Sequence, residues 1–173
     1  MHIISGKYRG KKLKGFNIEG TRPTMDRVKE SLFGMIQNYV EGSKVLDLFA
    51  GSGALGLEAI SNGANEAYLI DNNKEAIRVI KDNMKNMNDD IKVIKSDYKK
   101  FLKETDLKFD IIFLDPPYRK GLMGKALKII EEKELLTESG IVVCEYEYND
   151  FTTNLNLFKE KSYGFKKISI FKR

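Results

Sequence analysis

Cysteine and histidine are almost absent from this chain. Cys144 and His2 are the only ones in 173 residues. A lone cysteine excludes an internal disulfide and a multi-cysteine zinc site, and a lone histidine argues against a histidine-based metal centre. No apolar run reaches membrane-spanning length, and the amino end shows no charged segment followed by an apolar core and a small-residue cleavage site. Cytoplasm is therefore the expected compartment. Any chemistry has to come from carboxylates, backbone groups, aromatics or a bound cofactor, without a metal.

What is present suits one compact domain: 42% of residues are hydrophobic and the formal charge is +5. Its distribution says more than its total. Lys7, Arg9, Lys11, Lys12 and Lys14 crowd the start, with Glu19 the only acid before position 20. Lys159, Lys161, Lys166, Lys167, Lys172 and Arg173 crowd the end. Two basic termini brought together would form a phosphate-binding surface, and kept apart they are a solvated face.

Apolar residues at Met25, Val28, Leu32, Met35, Ile36 and Tyr39 have the spacing of one helix face, with Pro23 and Thr24 as a start signal and Thr24 as N-cap. Beyond it, strand-like runs at 44–49, 67–70, 91–94, 109–114 and 141–146 alternate with helical patterns at 54–61, 74–87, 98–103 and 122–135. Parallel neighbours need a crossover, usually a helix, so this alternation predicts a doubly wound α/β sheet. The runs 157–161 and 165–171, flanking Ser162, Tyr163 and Gly164, predict an antiparallel hairpin closing it. Residues 1–20, with four glycines among basic residues, read as a small basic arm or hairpin outside the main sheet, leaving 21–173 as the main domain.

Val45 to Gly56 is a strand running into a glycine-rich turn and then a helix. Gly51, Gly53 and Gly56 satisfy the dinucleotide pattern, which on its own is weak. Asp47 tilts the choice. A negative charge beside the glycines gains nothing from a pyrophosphate but favours a cationic amino-acid moiety such as the ammonium and sulfonium of S-adenosylmethionine. Asp71, ending the second strand, can accept both hydroxyls of a ribose. Asp97 can accept from an adenine amino group or cap the helix that begins at Tyr98.

After the fourth strand stands Asp115-Pro116-Pro117-Tyr118. The lone pair of an amino group on an aromatic base is delocalised into the ring, so the nitrogen is a poor nucleophile. A carboxylate and a carbonyl accepting its two protons orient it and favour lone-pair density toward the methyl donor. Asp115 and the Pro116 carbonyl are candidates, and Tyr118 supplies a face on which the base stacks. Such a segment can also be a proline-stiffened turn. Its place beside the glycine-loop strand, where strand order reverses, favours a ligand site. Cys144, mid-strand, reads as core.

Together these residues resemble the amino-methylating class I methyltransferases. At the amino end, Ile4-Ser5-Gly6-Lys7-Tyr8-Arg9-Gly10-Lys11-Lys12-Leu13 and Arg22-Pro23-Thr24-Met25-Asp26-Arg27-Val28-Lys29-Glu30 are similar to the RsmD family, with Lys29 standing where arginine is common. The resemblance implies a Rossmann-like, mostly parallel seven-stranded sheet, S-adenosylmethionine as cofactor, and methylation of guanine N2 in 16S ribosomal RNA, free or in an assembling small subunit, by a protein favoured to be a monomer. It implies cofactor residues Asp47, Phe49, Gly51, Ser52, Gly53, Asp71, Asn72, Asp97 and Tyr98. Asp115, Pro116 and Tyr118 then meet the target amine, and Lys7, Arg9, Lys11 and Lys12 meet RNA; Arg22 and Arg27 are candidates for RNA phosphate or the cofactor carboxylate, with pairing to a nearby surface acid as the alternative. Glu58 is expected to be structural. The alternatives are an adenine-N6 methyltransferase on RNA or DNA, a non-catalytic RNA-binding or ribosome-assembly module, and a nicotinamide-dependent oxidoreductase.

Overall fold

The computed structural model describes residues 1–16, 22–117 and 121–173, with only the backbone of 22–24. Its elements run α1 (Arg22–Val40), β1 (Lys44–Asp47), α2 (Ala54–Ser61), β2 (Glu66–Asp71), α3 (Lys74–Asn83), β3 (Asp90–Lys95), α4 (Tyr98–Glu104), β4 (Phe109–Leu114), α5 (Leu122–Glu132), β5 (Leu136–Tyr146), β6 (Asn156–Tyr163) and β7 (Lys166–Lys172). The seven strands form one sheet in the order β3-β2-β1-β4-β5-β7-β6. β1 to β5 are parallel, and β7 runs antiparallel to both β5 and β6. The chain winds outward from β1 to β3 and restarts on the other side of β1 at β4. The order therefore reverses between β1 and β4, and their carboxyl ends border the ligand crevice of such sheets. This is the doubly wound architecture expected from the alternation.

Both sheet faces are covered, as a parallel sheet requires. Leu32, Phe33 and Ile36 of α1 pack on Val45, Phe113, Val143, Ile168 and Ile170, while Leu102, Leu127 and Ile130 pack on Leu46, Ile112, Val142 and Cys144. Cys144 is fully buried, and burial pushes its thiol up from the ordinary value, in line with the core reading.

Several boundaries differ from expectation. Thr24 lies inside α1, which begins at Arg22, so it is not the N-cap. Pro23 is tolerated there because first-turn amides have no intrahelical partner. β1 stops at Asp47, before Leu48 and Phe49. α3 ends at Asn83 and α5 at Glu132, ahead of Asn86 and Glu134 in left-handed conformation. β5 starts at Leu136, five residues early, through a polar stretch whose pairing with β4 slips between Phe109 and Ile111. The hairpin turn is Gly164-Phe165 rather than Ser162 to Gly164.

Residues 1–16 stand outside the sheet, with one antiparallel bridge, His2 to Lys12, yet Met1, Ile3 and Leu13 are buried in the core. The fixing point is Glu58 on α2, fully buried. Its carboxylate accepts from the amides of Ile4 (3.0 Å) and Ser5 (3.0 Å) and pairs with Lys29 of α1 at 3.0 Å. Lys29 also donates to the His2 carbonyl at 2.6 Å. Gly6 completes the dock: at φ 80° a Cβ there would stand 1.8 Å from the Ser61 carbonyl oxygen.

Removing one member of a buried ion pair leaves the other charge uncompensated, at a cost of about 3 to 5 kcal/mol. Glu58→Gln is expected to lower unfolding free energy by that order in urea titrations and to lose hydrogen-exchange protection at the Ile4 and Ser5 amides. Native protection of those two amides would show that the arm is held elsewhere.

Candidate cofactor and target site

The turn after β1 is built for close approach. Gly51 and Gly53 take positive φ, 54° and 80°, and Gly53 precedes α2 with no side-chain cap on the helix amides. Gly56 is required for space, since a Cβ there would meet Leu69 Cδ2 at 2.0 Å. Asp47 lies beneath this turn, 2% exposed, and its Oδ2 accepts from the Gly56 amide at 3.1 Å. Burial pushes its carboxyl up to about 7; the Gly56 bond works against the shift and the charge of Asp71 adds to it. A buried carboxylate with one amide partner suits a cationic ligand and not a phosphate.

Asp71 ends β2 and ties two loops together, accepting from Gly51 N through Oδ2 and from Asn73 N through Oδ1, both at 2.9 Å. Each oxygen has a second lone-pair site, so these bonds leave acceptor capacity for a ribose. Asn72 beside it is exposed. Asp97 caps α4, its Oδ1 accepting from Lys99 N and Lys100 N, which is the alternative that the sequence left open for it. Phe49 and Tyr98 form an aromatic wall, with ring centroids 5.2 Å apart. The Tyr98 hydroxyl is buried with no hydrogen-bond partner among the described residues. An orphaned donor on the tyrosine that packs against Phe49 fits a ligand acceptor.

One residue of this site went unnoticed in the sequence. Asn83, 3% exposed at the end of α3, donates to the Ser52 and Lys14 carbonyls and accepts from Lys14 N at 2.7 Å. It joins the basic arm to the glycine turn. An asparagine at a helix end carries no signal of that bridge.

At the end of β4, Asp115 is half-buried, Pro116 buried and Pro117 exposed; Tyr118 lies outside the described residues. Burial and the neighbouring Glu145 charge hold the Asp115 carboxyl well above the usual carboxylate range; Lys166 acts against this and Asp47 adds to it. Pro116, Pro117 and Glu145 border a shallow, open cleft that continues to Met123, Tyr146 and Tyr148. The register pairs Asp47 with Phe113, and Phe113 with Val143. With two-residue alternation, Asp47, Asp115 and Glu145 thus share one sheet face.

Lys7 pairs with Asp89 at 2.9 Å and Lys11 donates to the Lys85 carbonyl at 2.7 Å, while Arg9, Lys12 and Arg27 are exposed. The Arg22 side chain lies outside what is described. Exposed ion pairs such as Lys7–Asp89 contribute little and exchange readily for phosphate.

Because Asp47 binds its proton more tightly folded than unfolded, its contribution to stability is fully present below its ordinary value of 3.8 and lost as pH rises through about 7. Asp47→Asn, which keeps an acceptor for Gly56, should therefore be more stable than the parent by about 2 to 4 kcal/mol at pH 8, with the gap closing toward pH 5. Urea titrations at both pH values check this, and parallel curves would refute it.

A protein-family model described as "Conserved hypothetical protein 95" matches residues 1–172. Ribosomal RNA small subunit methyltransferase D of Escherichia coli K12 is 34% identical over 169 residues, covering 95% of this chain and 85% of its own. The enzyme of the same name from Buchnera aphidicola of Acyrthosiphon pisum is 36% identical over 166 residues, covering 93% and 87%. Among solved structures, the Escherichia coli protein yhhF, given as a candidate methyltransferase, superposes with a TM-score of 0.89 at 31% identity, covering 100% of this chain and 97% of that one. A Thermus thermophilus 16S rRNA N2 methyltransferase in complex with AdoMet and guanosine shares the fold, with a TM-score of 0.68 at 21% identity over 92% of this chain and 45% of that one. A model matched over nearly the whole length, with relatives above 30% identity end to end, shows that the chain belongs to the RsmD family.

Proposed function

We propose that this protein transfers a methyl group from S-adenosylmethionine to the exocyclic N2 amine of a guanine in 16S ribosomal RNA. The observation that carries this reading is the half-buried Asp115 carboxylate, with the Pro116 carbonyl after it, at the strand-order reversal and on the sheet face of the buried Asp47. The names of the relatives above supply the ribosomal RNA.

The residues present fit the cofactor. Asp47 is suited to the methionine ammonium, Gly51, Ser52 and Gly53 to close approach of its chain, and Asp71 with Asn72 to the ribose. Phe49, Tyr98 and Asp97 are suited to the adenine. Bound there, S-adenosylmethionine supplies an electrophilic methyl group. Asp115 and the Pro116 carbonyl accept the two N–H bonds of the target amine and turn its lone pair toward that methyl. Tyr118 is assigned the stacking face. Nitrogen gives up its proton after bonding to the methyl, when it has become acidic, so no strong base is required. Lys7, Arg9, Lys11, Lys12, Arg22 and Arg27 are assigned to RNA phosphates, whose contribution falls with salt.

Asp115→Asn keeps the shape but puts a donor where the amine also donates. Single-turnover methyl transfer is expected to fall by about a hundredfold or more, with cofactor affinity nearly unchanged. In the parent, protonated Asp115 is the inactive form. The raised carboxyl then makes kcat/KM climb with pH through a midpoint well above the usual carboxylate range, and the variant loses that limb. Near-normal turnover in Asp115→Asn would reduce the segment to a turn.

Cofactor binding tests the other half of the site. Asp71→Ala removes a charged acceptor whose hydrogen bonds contribute about 1.5 to 3 kcal/mol each, so calorimetric affinity for S-adenosylmethionine should drop at least about tenfold. Unchanged affinity would remove Asp71 from the cofactor site.

A further inference from the structure

The β6–β7 hairpin carries the basic carboxyl-terminal cluster, and its turn points to the working end of the sheet. β7 runs antiparallel to β5, so the turn that opens β7 lies at the carboxyl end of the parallel strands, where Asp115 stands. Lys167 registers with Tyr146, and Tyr146 borders the same open cleft as Pro116 and Pro117. The tip is therefore level with the segment that follows β4. Two to three strand spacings of about 4.8 Å separate them, about 10 to 14 Å in all.

At this tip stands Phe165, 92% exposed, the most exposed of the large apolar side chains described. Gly164 at φ 60° supplies the turn's positive φ, and the position after it ordinarily takes Asn, Asp or Ser. The turn itself thus gives no reason for a phenylalanine. Its surroundings are cationic. From Asn156 to the end, Lys159, Lys161, Lys166, Lys167, Lys172 and Arg173 stand against a single acid, Glu160.

The hairpin also brings the two basic regions of the chain together. Lys161 Nζ and the Tyr163 hydroxyl both donate to Ser31 Oγ of α1, the first at 3.0 Å, and Lys159 donates to the Met35 carbonyl at 2.9 Å. α1 therefore lies along β6 and starts at the tip end. Arg27, exposed and one turn before Ser31 on the same helix face, stands on the tip side of that contact.

We propose that this hairpin tip is a second RNA-contacting element, in which Phe165 stacks on an unpaired base within a few nucleotides of the target while Arg27 and Lys161 meet neighbouring phosphates. The distance from β4 assigns the tip to a flanking nucleotide and leaves the target base to Asp115. An exposed aromatic among cations suits single-stranded RNA, whose bases offer π-faces and whose backbone offers charge. The same cationic excess opposes docking of a second copy of this face or of a basic protein. The inference rests on the ribosomal RNA part of the reading above and not on the choice of guanine N2.

The test uses the full chain in two stages. Unmodified small-subunit ribosomal RNA, free and as subunits, is incubated with the parent protein and S-adenosylmethionine, and the modified position is mapped by digestion and mass. Methylation of neither overturns the RNA reading and this inference with it. A modified base other than guanine overturns only the guanine-N2 assignment, and the second stage proceeds at the mapped site.

There, Phe165→Ala is expected to raise KM for RNA at least about tenfold with S-adenosylmethionine affinity unchanged. Phe165→Trp, which keeps a stacking face, should restore the parent value, and Phe165→Leu, which keeps only apolar character, should not. Phe165 is so exposed that all three variants are expected to fold. Abasic nucleotides are then placed singly within a few positions of the target. One of them should cost the parent about tenfold and cost Phe165→Ala nothing further. Arg27→Ala should lower the salt slope of KM by about one. An unchanged KM in Phe165→Ala overturns the inference. So does a raised KM that Phe165→Leu restores, or one coupled to no abasic position, since the tip would then dock on protein.

Discussion

The buried carboxylate of Glu58 holds the working parts of this molecule together. A fully buried charge is tolerable only when paired and hydrogen-bonded, and the partners it recruits are Lys29 of α1 and the Ile4 and Ser5 amides of the amino-terminal arm. Two chain segments distant in sequence, α1 and the arm, are thereby fixed to α2, the helix that opens at the glycine turn. At the far end of the same arm, Lys14 meets Asn83, which holds the Ser52 carbonyl of that turn. The arm spans α2 from Glu58 to the turn. The basic arm and the glycine turn are thus tied to each other through α2 and Asn83.

The carboxyl end of the sheet is the opposite case, a place where charge is left under-compensated. Asp47 and Asp115 are both pushed upward chiefly by burial, and in each case a neighbouring acid adds to the shift. In a purely structural sheet such positions would carry apolar residues, as Phe113 and Val143 do one step below. Departures from local consistency of this kind concentrate where ligands bind. The two carboxyls share one face but differ in place: Asp47 lies under the glycine turn, and Asp115 follows the end of β4.

Elements with a strong period were legible before any coordinates. The alternation of apolar runs with helical patterns reproduced the order from β1 to α5, and α2 and β4 have the expected bounds. Misreadings fall where tertiary contacts overrode local signals. The first half of β5, Leu136 to Gly140, shows no alternation and is a strand only because β4 pairs with it across a register slip. The hairpin turn moved because Gly164, at φ 60°, takes the first position of the two-residue turn and leaves Phe165 at the tip, 92% exposed.

By itself the sequence determined the fold class, the glycine turn with Asp47, the position of Asp115 at a strand end and the family. Each of these is carried by residues adjacent in the chain or set by a single period, so local sterics and hydrophobic spacing suffice to express them. Only the tertiary structure decided that Glu58 pairs with Lys29, that Asn83 bridges the arm to the glycine turn, and that Lys166 of β7 reaches Glu145 of β5. Those contacts join residues 20 to 70 positions apart. They follow from which strands become neighbours and in what register, and burying a common core settles that for the whole chain at once.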